Sequence, residues 1–218
     1  MPCFNEAAVI KNTVDELLHY GYKIVIIDDA SSDDSGKQVE GLPVHYIRHR
    51  VNLGQGAALQ TGIDVALKNG ADYFVTFDED GQHDVKDIPG MLQNLEKKNH
   101  DVVLGSRFLE GAATNISLFR KLLLKSACLL NYFFTGILLT DAHNGLRAFN
   151  RHAANSIRLK ENRMAHATEL LTEIKKNKLT YKEIPVTIHY TAYSKSKGQT
   201  AWSSFRIFFD LLLNKIFR

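Results

Sequence analysis

Four short runs rich in β-branched, aliphatic and aromatic residues, Lys23–Ile27, Val44–Ile47, Tyr73–Phe77 and Asp101–Leu104, alternate with segments whose apolar residues recur at helical spacing. This alternation constrains the chain more than any other feature, because parallel strands of one sheet need long crossovers and helices are the usual ones. The order therefore predicts an α/β fold, a mostly parallel sheet flanked by helices. Between strands, the stretch from Asn52 to Lys68 opens with Asn-Leu-Gly-Gln-Gly and continues through Ala57, Leu59, Ile63, Ala66 and Leu67, which reads as a loop and then a helix. Ligands of such sheets lie beyond the carboxyl ends of the strands. At 218 residues with 44% hydrophobic side chains the chain can bury one substantial core, and a second full domain is not expected. The two cysteines, Cys3 and Cys128, have no metal-ligand spacing, and the sequence opens on no secretory leader, so a reducing compartment is expected.

Charge divides the chain. Residues 1 to 113 hold 10 Lys and Arg against 18 Asp and Glu, a balance of −8, whereas residues 114 to 218 hold 17 against 6, a balance of +11. An acidic half suits a metal cation and a basic half suits anionic headgroups or phosphate, with ordinary solvated surface as the plainer alternative. In residues 116–140 an apolar-rich run carries Arg120, Lys121 and Lys125, and its uninterrupted apolar part is too short to span a bilayer. The C-terminal segment sets Trp202, Phe205, Phe208, Phe209, Leu212, Leu213 and Ile216 largely on one helical face among Arg206, Lys215 and Arg218. Both read as interfacial amphipathic helices, or else as helices packed on the core or on a partner. Nucleic-acid binding is not expected, since the basic residues are interleaved with long aliphatic runs and no base-stacking module is evident.

The densest chemical signal is Asp78-Glu79-Asp80-Gly81-Gln82-His83, directly after Tyr73–Phe77. Three adjacent carboxylates repel one another unless a cation joins them; Asp78 and Asp80, two apart, could share one Mg²⁺ or Mn²⁺ with diphosphate oxygens. A second acidic strand end, Asp28-Asp29, could accept from a base N–H or ribose hydroxyls, while Asp33, Asp34 and Ser35 read as caps of a following helix. Asn5 and Glu6 precede another helical pattern, as cap, first-turn acid or ligand. The run Asp141-Ala142-His143-Asn144-Gly145-Leu146-Arg147 brings a carboxylate, an imidazole and a guanidinium within seven residues, a set able to act as base and phosphate clamp. His143 alone reads more simply as a hydrogen-bonded surface histidine.

Taken together, Pro2-Cys3-Phe4-Asn5-Glu6, Asp28-Asp29-Ala30-Ser31, Asn52-Leu53-Gly54, the Asp78–His83 run, Gly105-Ser106-Arg107, Asp141–Arg147 and a late loop with Lys195, Gly198 and Thr200 resemble family 2 glycosyltransferases of GT-A fold, and within them the polyprenyl-phosphate sugar synthases. The resemblance covers nearly the whole chain and implies a Rossmann-like nucleotide-diphospho-sugar transferase, with a catalytic domain over 1–198 and an amphipathic helix over 199–218. It implies nucleotide-sugar contacts from Pro2, Phe4, Glu6, Asp28, Asp29, Asp78, Glu79, Asp80, Gln82, Glu169 and Lys195. Asp78, Asp80 and Gln82 would surround the metal, Arg107 and Arg147 would handle phosphates, and Asp141 would orient the acceptor or act as base. Asp80, Asp141, Arg107 and Arg147 are the catalytic set so implied.

The expected reaction is inverting transfer of a hexose from a nucleotide diphosphate sugar, GDP-mannose or a UDP-sugar, to a polyprenyl or dolichyl phosphate. Rival readings are a transferase extending a cell-surface glycan, and a non-catalytic membrane-associated scaffold or nucleotide sensor. The family has a hydrophobic strand immediately before its Pro-x-x-Asn-Glu motif, whereas this chain begins at the motif, so a sheet short of one central strand is expected. Ala201 follows Thr200 where the family carries a Lys, which weakens one phosphate contact that Lys195 and Lys197 would replace. Attachment to the cytoplasmic face of a membrane is expected to be peripheral, or through a partner protein or a second copy.

Overall fold

The computed structural model describes residues 1–97, 99–113, 118–161 and 165–190, with backbone alone at 118–120, 123 and 130. Lys195 and the 199–218 segment lie outside these residues. Two sheets form. The first has strands β1 (Pro2–Cys3), β2 (Val25–Asp28) and β3 (His45–Arg48), all parallel, in the order β1-β2-β3. The second has β4 (Tyr73–Thr76), β5 (Val102–Ser106), β6 (Arg147–Asn150) and β7 (Tyr181–Pro185), in the order β4-β6-β5-β7. Here β5 and β7 are parallel, but β6 runs antiparallel to both its neighbours, so the second sheet is mixed rather than mostly parallel.

Helices α1 (Ile10–His19), α3 (Gln55–Lys68), α4 (Ile88–Lys97), α5 (Leu118–Thr135) and α7 (His166–Lys176) cover the sheets, with single-turn pieces α2 (Ser35–Gln38) and α6 (Arg151–Ser156). Helix α1 shows why such segments are helical: Ile10, Val14 and Leu17 fall on one buried face, while Lys11 and Asp15 pair at 3.1 Å on the other. The core follows the two-residue period of the strands. Val102, Leu104 and Phe149 point into a cluster with α3 and α7, and the intervening Val103 and Ala148 point into a cluster with α1 and α4. Among the described residues no helix is long and apolar enough to cross a membrane.

Strand β1 pairs only with Ile27 and Asp28 of β2. Beyond it, β2 and the open edge of β4 face each other across a cavity of about 430 Å³ lined by Val25, Leu59, Ile63, Phe74 and Ile88. Met1 lies at its end, its amine donating to the Val25 carbonyl at 2.8 Å.

Candidate active site

The candidate residues gather at one edge, where β1, β2, β4 and β5 end and the antiparallel β6 begins. Asp28 and Asp29 close β2. Asp28 is 1% exposed and accepts from the Ser31 N–H at 2.7 Å and from the Tyr46 hydroxyl; Arg48 approaches it at 3.8 Å. Asp29, 3% exposed, accepts from the N–H groups of Leu53 at 2.9 Å and Gly54 at 2.6 Å and meets His49 Nδ1 at 2.8 Å. Gly54 has φ +97°, a conformation that suits glycine and lets the Asn52–Gly54 loop turn back onto Asp29 before α3 begins. The Asp28 and Asp29 oxygens are thus engaged within the protein, a role in shaping loops that their sequence pattern did not convey.

The Phe4–Glu6 turn is tied to the same end of β2. Asn5 has φ +58°, its N–H donates to Ser31 Oγ, and its side-chain oxygen accepts from the Ser32 N–H at 2.8 Å. Glu6, 7% exposed, donates its N–H to Ser35 Oγ at 2.8 Å, and Phe4 is exposed. Pro2 lies inside β1. Asp33 accepts from the N–H groups of Ala7 and of Ser35, the first residue of α2, and so ties the Phe4–Glu6 turn to the helix start, while the N-cap residue Asp34 makes no side-chain cap bond.

At the end of β4 the three carboxylates diverge in character. Burial pushes Asp78 up, but the hydrogen bond and charge of His83, together with the charges of Arg147 and His166, outweigh it and hold Asp78 below its ordinary value. Its oxygens meet His83 Nε2 at 3.1 Å and Gln55 Nε2 at 3.3 Å. Burial, then the Asp78 charge, pushes Glu79 well up, and the same two causes raise Asp80. Asp80 accepts from the Gln82 N–H at 3.0 Å and its side-chain amide at 2.5 Å. Gln82 thus orients Asp80, and among the described residues no three His, Cys, Asp or Glu side chains converge on one metal position. His83 carries no assigned role in the sequence reading, yet it is 7% exposed, edge-on to Phe77 at 5.4 Å, and holds Asp78.

The 141–147 loop joins this corner to a second one. An added Cβ at Gly145 would lie 2.0 Å from Asp78 Oδ2, so the loop passes directly against that carboxylate. Arg147 is 5% exposed, and burial lowers its pKa against the opposing charges of Asp78 and Asp141. At the other end Asp141, 3% exposed, is gripped by Arg107: Nε at 2.6 Å, the backbone N–H at 3.1 Å and a longer Nη2 contact at 3.4 Å. The expected base and the expected phosphate ligand are therefore paired with each other. His143 is largely buried, which lowers its pKa, and its Nδ1 meets no partner among the described residues; it is no surface histidine. Glu169 accepts from the N–H groups of Lys160 and Glu161 at 2.8–2.9 Å and so caps that loop.

Acidic Asp78–Asp80 and the Arg107–Asp141 pair, joined by one loop at the carboxyl edge of an α/β sheet, fit a glycosyltransferase of GT-A fold, the class the comparisons show. The chain belongs to glycosyl transferase family 2, whose family model matches residues 1–158. An uncharacterized protein of Methanocaldococcus jannaschii is 36% identical over 100% of this chain and 91% of its own length. The UDP-N-acetylglucosamine–dolichyl-phosphate N-acetylglucosaminyltransferase of Methanococcus voltae is 34% identical over 99% of this chain and 94% of its own. Glucosyl-3-phosphoglycerate synthase from Mycobacterium tuberculosis, solved with Mn²⁺ and UDP-glucose, shares the fold at a TM-score of 0.66 and 17% identity, covering 90% of this chain and 72% of that one.

Proposed function

We propose that the chain transfers a hexose, with inversion, from a nucleotide diphosphate sugar to a polyprenyl phosphate at a membrane surface. The observation that carries this reading is the meeting, at Gly145, of the Asp78–Asp80 corner with the loop that bears Asp141 and Arg147. The dolichyl-phosphate acceptor in the name of the Methanococcus voltae relative supports the acceptor class.

Asp78 and Asp80 would hold Mg²⁺ or Mn²⁺, with Gln82 fixing Asp80. Their hard oxygens fit such an ion, which is commonly bound by one or two carboxylates together with substrate phosphates. When bound, the ion offsets charge on the departing diphosphate. The Phe4–Glu6 turn and the loops shaped by Asp28 and Asp29 form the nucleotide end of the site. Arg147 supplies positive charge beside Asp78, where phosphate oxygens gather. A lipid phosphate is already anionic and attacks without losing a proton, so Asp141 serves by holding Arg107 rather than as a base. Helix α5 holds the enzyme peripherally on the cytoplasmic face.

The test is transfer of radiolabel from a panel of nucleotide sugars to polyprenyl phosphate, with and without Mn²⁺ or Mg²⁺. Metal-dependent labelled lipid is expected, and Asp80→Asn should abolish it. Labelling of a glycan with none of the lipid would replace the acceptor, and undiminished transfer by Asp80→Asn would remove the metal role.

A further inference from the structure

We propose that Glu183 and Tyr190 are positioning residues that set the Asp141–Arg107 pair from both sides. The inference rests on the reading of that pair as part of the transfer site. Glu183 lies on β7 opposite Leu104 of β5, two residues before the strand position that leads into Arg107. Its carboxylate accepts from the Thr140 N–H at 2.9 and 3.0 Å, the Thr140 hydroxyl at 2.9 Å and the Asp141 N–H at 3.1 Å. Three donors from two consecutive residues fix the backbone on which the Asp141 carboxylate is mounted. Hydrogen bonds to an ionised acceptor are about twice as strong as neutral ones, so this anchor is firm for a half-exposed side chain.

Tyr190 holds the other member. Its hydroxyl accepts from Arg107 Nη1 at 2.8 Å, while Arg107 Nε is committed to Asp141 at 2.6 Å. Strand β7 and its exit therefore grip the aspartate through its backbone and the arginine through its guanidinium.

The need for such anchors lies in the loop that follows. Among the described residues His143 Nδ1 and Asn144 Nδ2 are buried without partners, and Asn144 is only 3% exposed. Buried polar atoms left unpaired disfavour the conformation that buries them, so the loop depends on what holds its ends. At one end the Gly145 carbonyl accepts from the Thr76 hydroxyl at 2.7 Å, and Gly145 packs against Asp78. At the other end the holding group is Glu183. Releasing it lets the loop shift against Asp78, and a displacement on the order of 1 Å can cost about 100-fold in rate.

The test uses the full chain with the donor found in the transfer assay. Glu183→Gln replaces an acceptor-only carboxylate by an amide whose NH₂ opposes the backbone donors, and Tyr190→Phe removes one hydroxyl. Transfer should fall about 100-fold in the first and about 10-fold in the second, chiefly in kcat, while affinity for the donor's nucleoside diphosphate with Mn²⁺ changes less than about twofold. In an Asp141→Asn background either substitution should add less than about twofold, because residues acting as one unit are not additive. Multiplying effects, or nucleoside diphosphate affinity falling in step with rate, would overturn the proposal. Wild-type transfer by Asp141→Asn alone would instead show that the pair lies outside the reaction. Should Glu183→Gln not fold, Tyr190→Phe with and without Asp141→Asn gives the same decision.

Discussion

Gly145 has no room for a side chain. Its φ is not in the left-handed region, so the constraint is contact: a Cβ there would sit 2.0 Å from Asp78 Oδ2 and 3.0 Å from Oδ1. Gly145→Ala must push Asp78 off His83 and Gln55, and the expected result is a loss of transfer of about 100-fold with Tm within a few degrees of the parent. Rate and thermal melt measured together check it. Cys3 offers a residue-scale test of folding. Burial, with the charges of Glu79 and Asp28, pushes its thiol from 9.0 up to about 12. A raised folded pKa means the neutral thiol is the favoured form, so its contribution to stability is complete below pH 9 and is lost as pH climbs toward 12. Urea midpoints from pH 8 to 11 should fall more steeply in the parent than in Cys3→Ala; equal slopes would contradict the assignment. Asp28-Asp29 and Asp78–Asp80 were legible because each follows a hydrophobic run, and Glu169 only through the family resemblance. Their partners were not, since Asp29 binds Leu53 and Gly54 and Glu169 binds Lys160 and Glu161 through backbone N–H groups, which carry no sequence signature.

Among the described residues, α5 exposes a run of large apolar side chains on its outer face. Leu122, Leu129 and Phe133 are 65%, 53% and 73% exposed, Leu138 just beyond the helix is 67% exposed, and Lys121 and Lys125 are exposed beside them. Bulky apolar groups interleaved with lysines suit an anionic bilayer surface. Replacing Leu129 and Phe133 with Ser should lower binding to anionic liposomes at least about tenfold, since full burial of each such side chain is worth about 1.5–3 kcal/mol. Donor affinity should stay unchanged, and liposome binding equal to the parent's would assign this face to another partner. The strands at Val25, His45, Tyr73 and Val102 begin within two residues of where their β-rich runs predict. Strands β6, Arg-Ala-Phe-Asn, and β7, Tyr-Lys-Glu-Ile-Pro, were not legible: each is short and polar-flanked, and each is a strand through its pairing, β6 with β4 and β5 and β7 with β5. The antiparallel sense of β6 is likewise set by its neighbours and not by its own residues.

Across the whole molecule, the two sheets meet at a seam that no strand pairing closes among the described residues. On its β1 side β2 pairs at Ile27 and Asp28 alone, and β4 pairs with β6 on one side alone. The walls of the seam are apolar, with Leu59 and Ile63 of α3 on one side and Ile88 of α4 on the other. The sheets are therefore joined here by side chains packed across the seam and not by a hydrogen-bond ladder, so cutting one of those side chains back should register in the melt. Ile63 is 5% exposed, and Ile63→Ala should cost about 2–5 kcal/mol, which at about 2–4 °C per kcal/mol for a chain of this size lowers Tm by at least about 4 °C. A Tm equal to the parent's would show that the seam contributes nothing to holding the two sheets together.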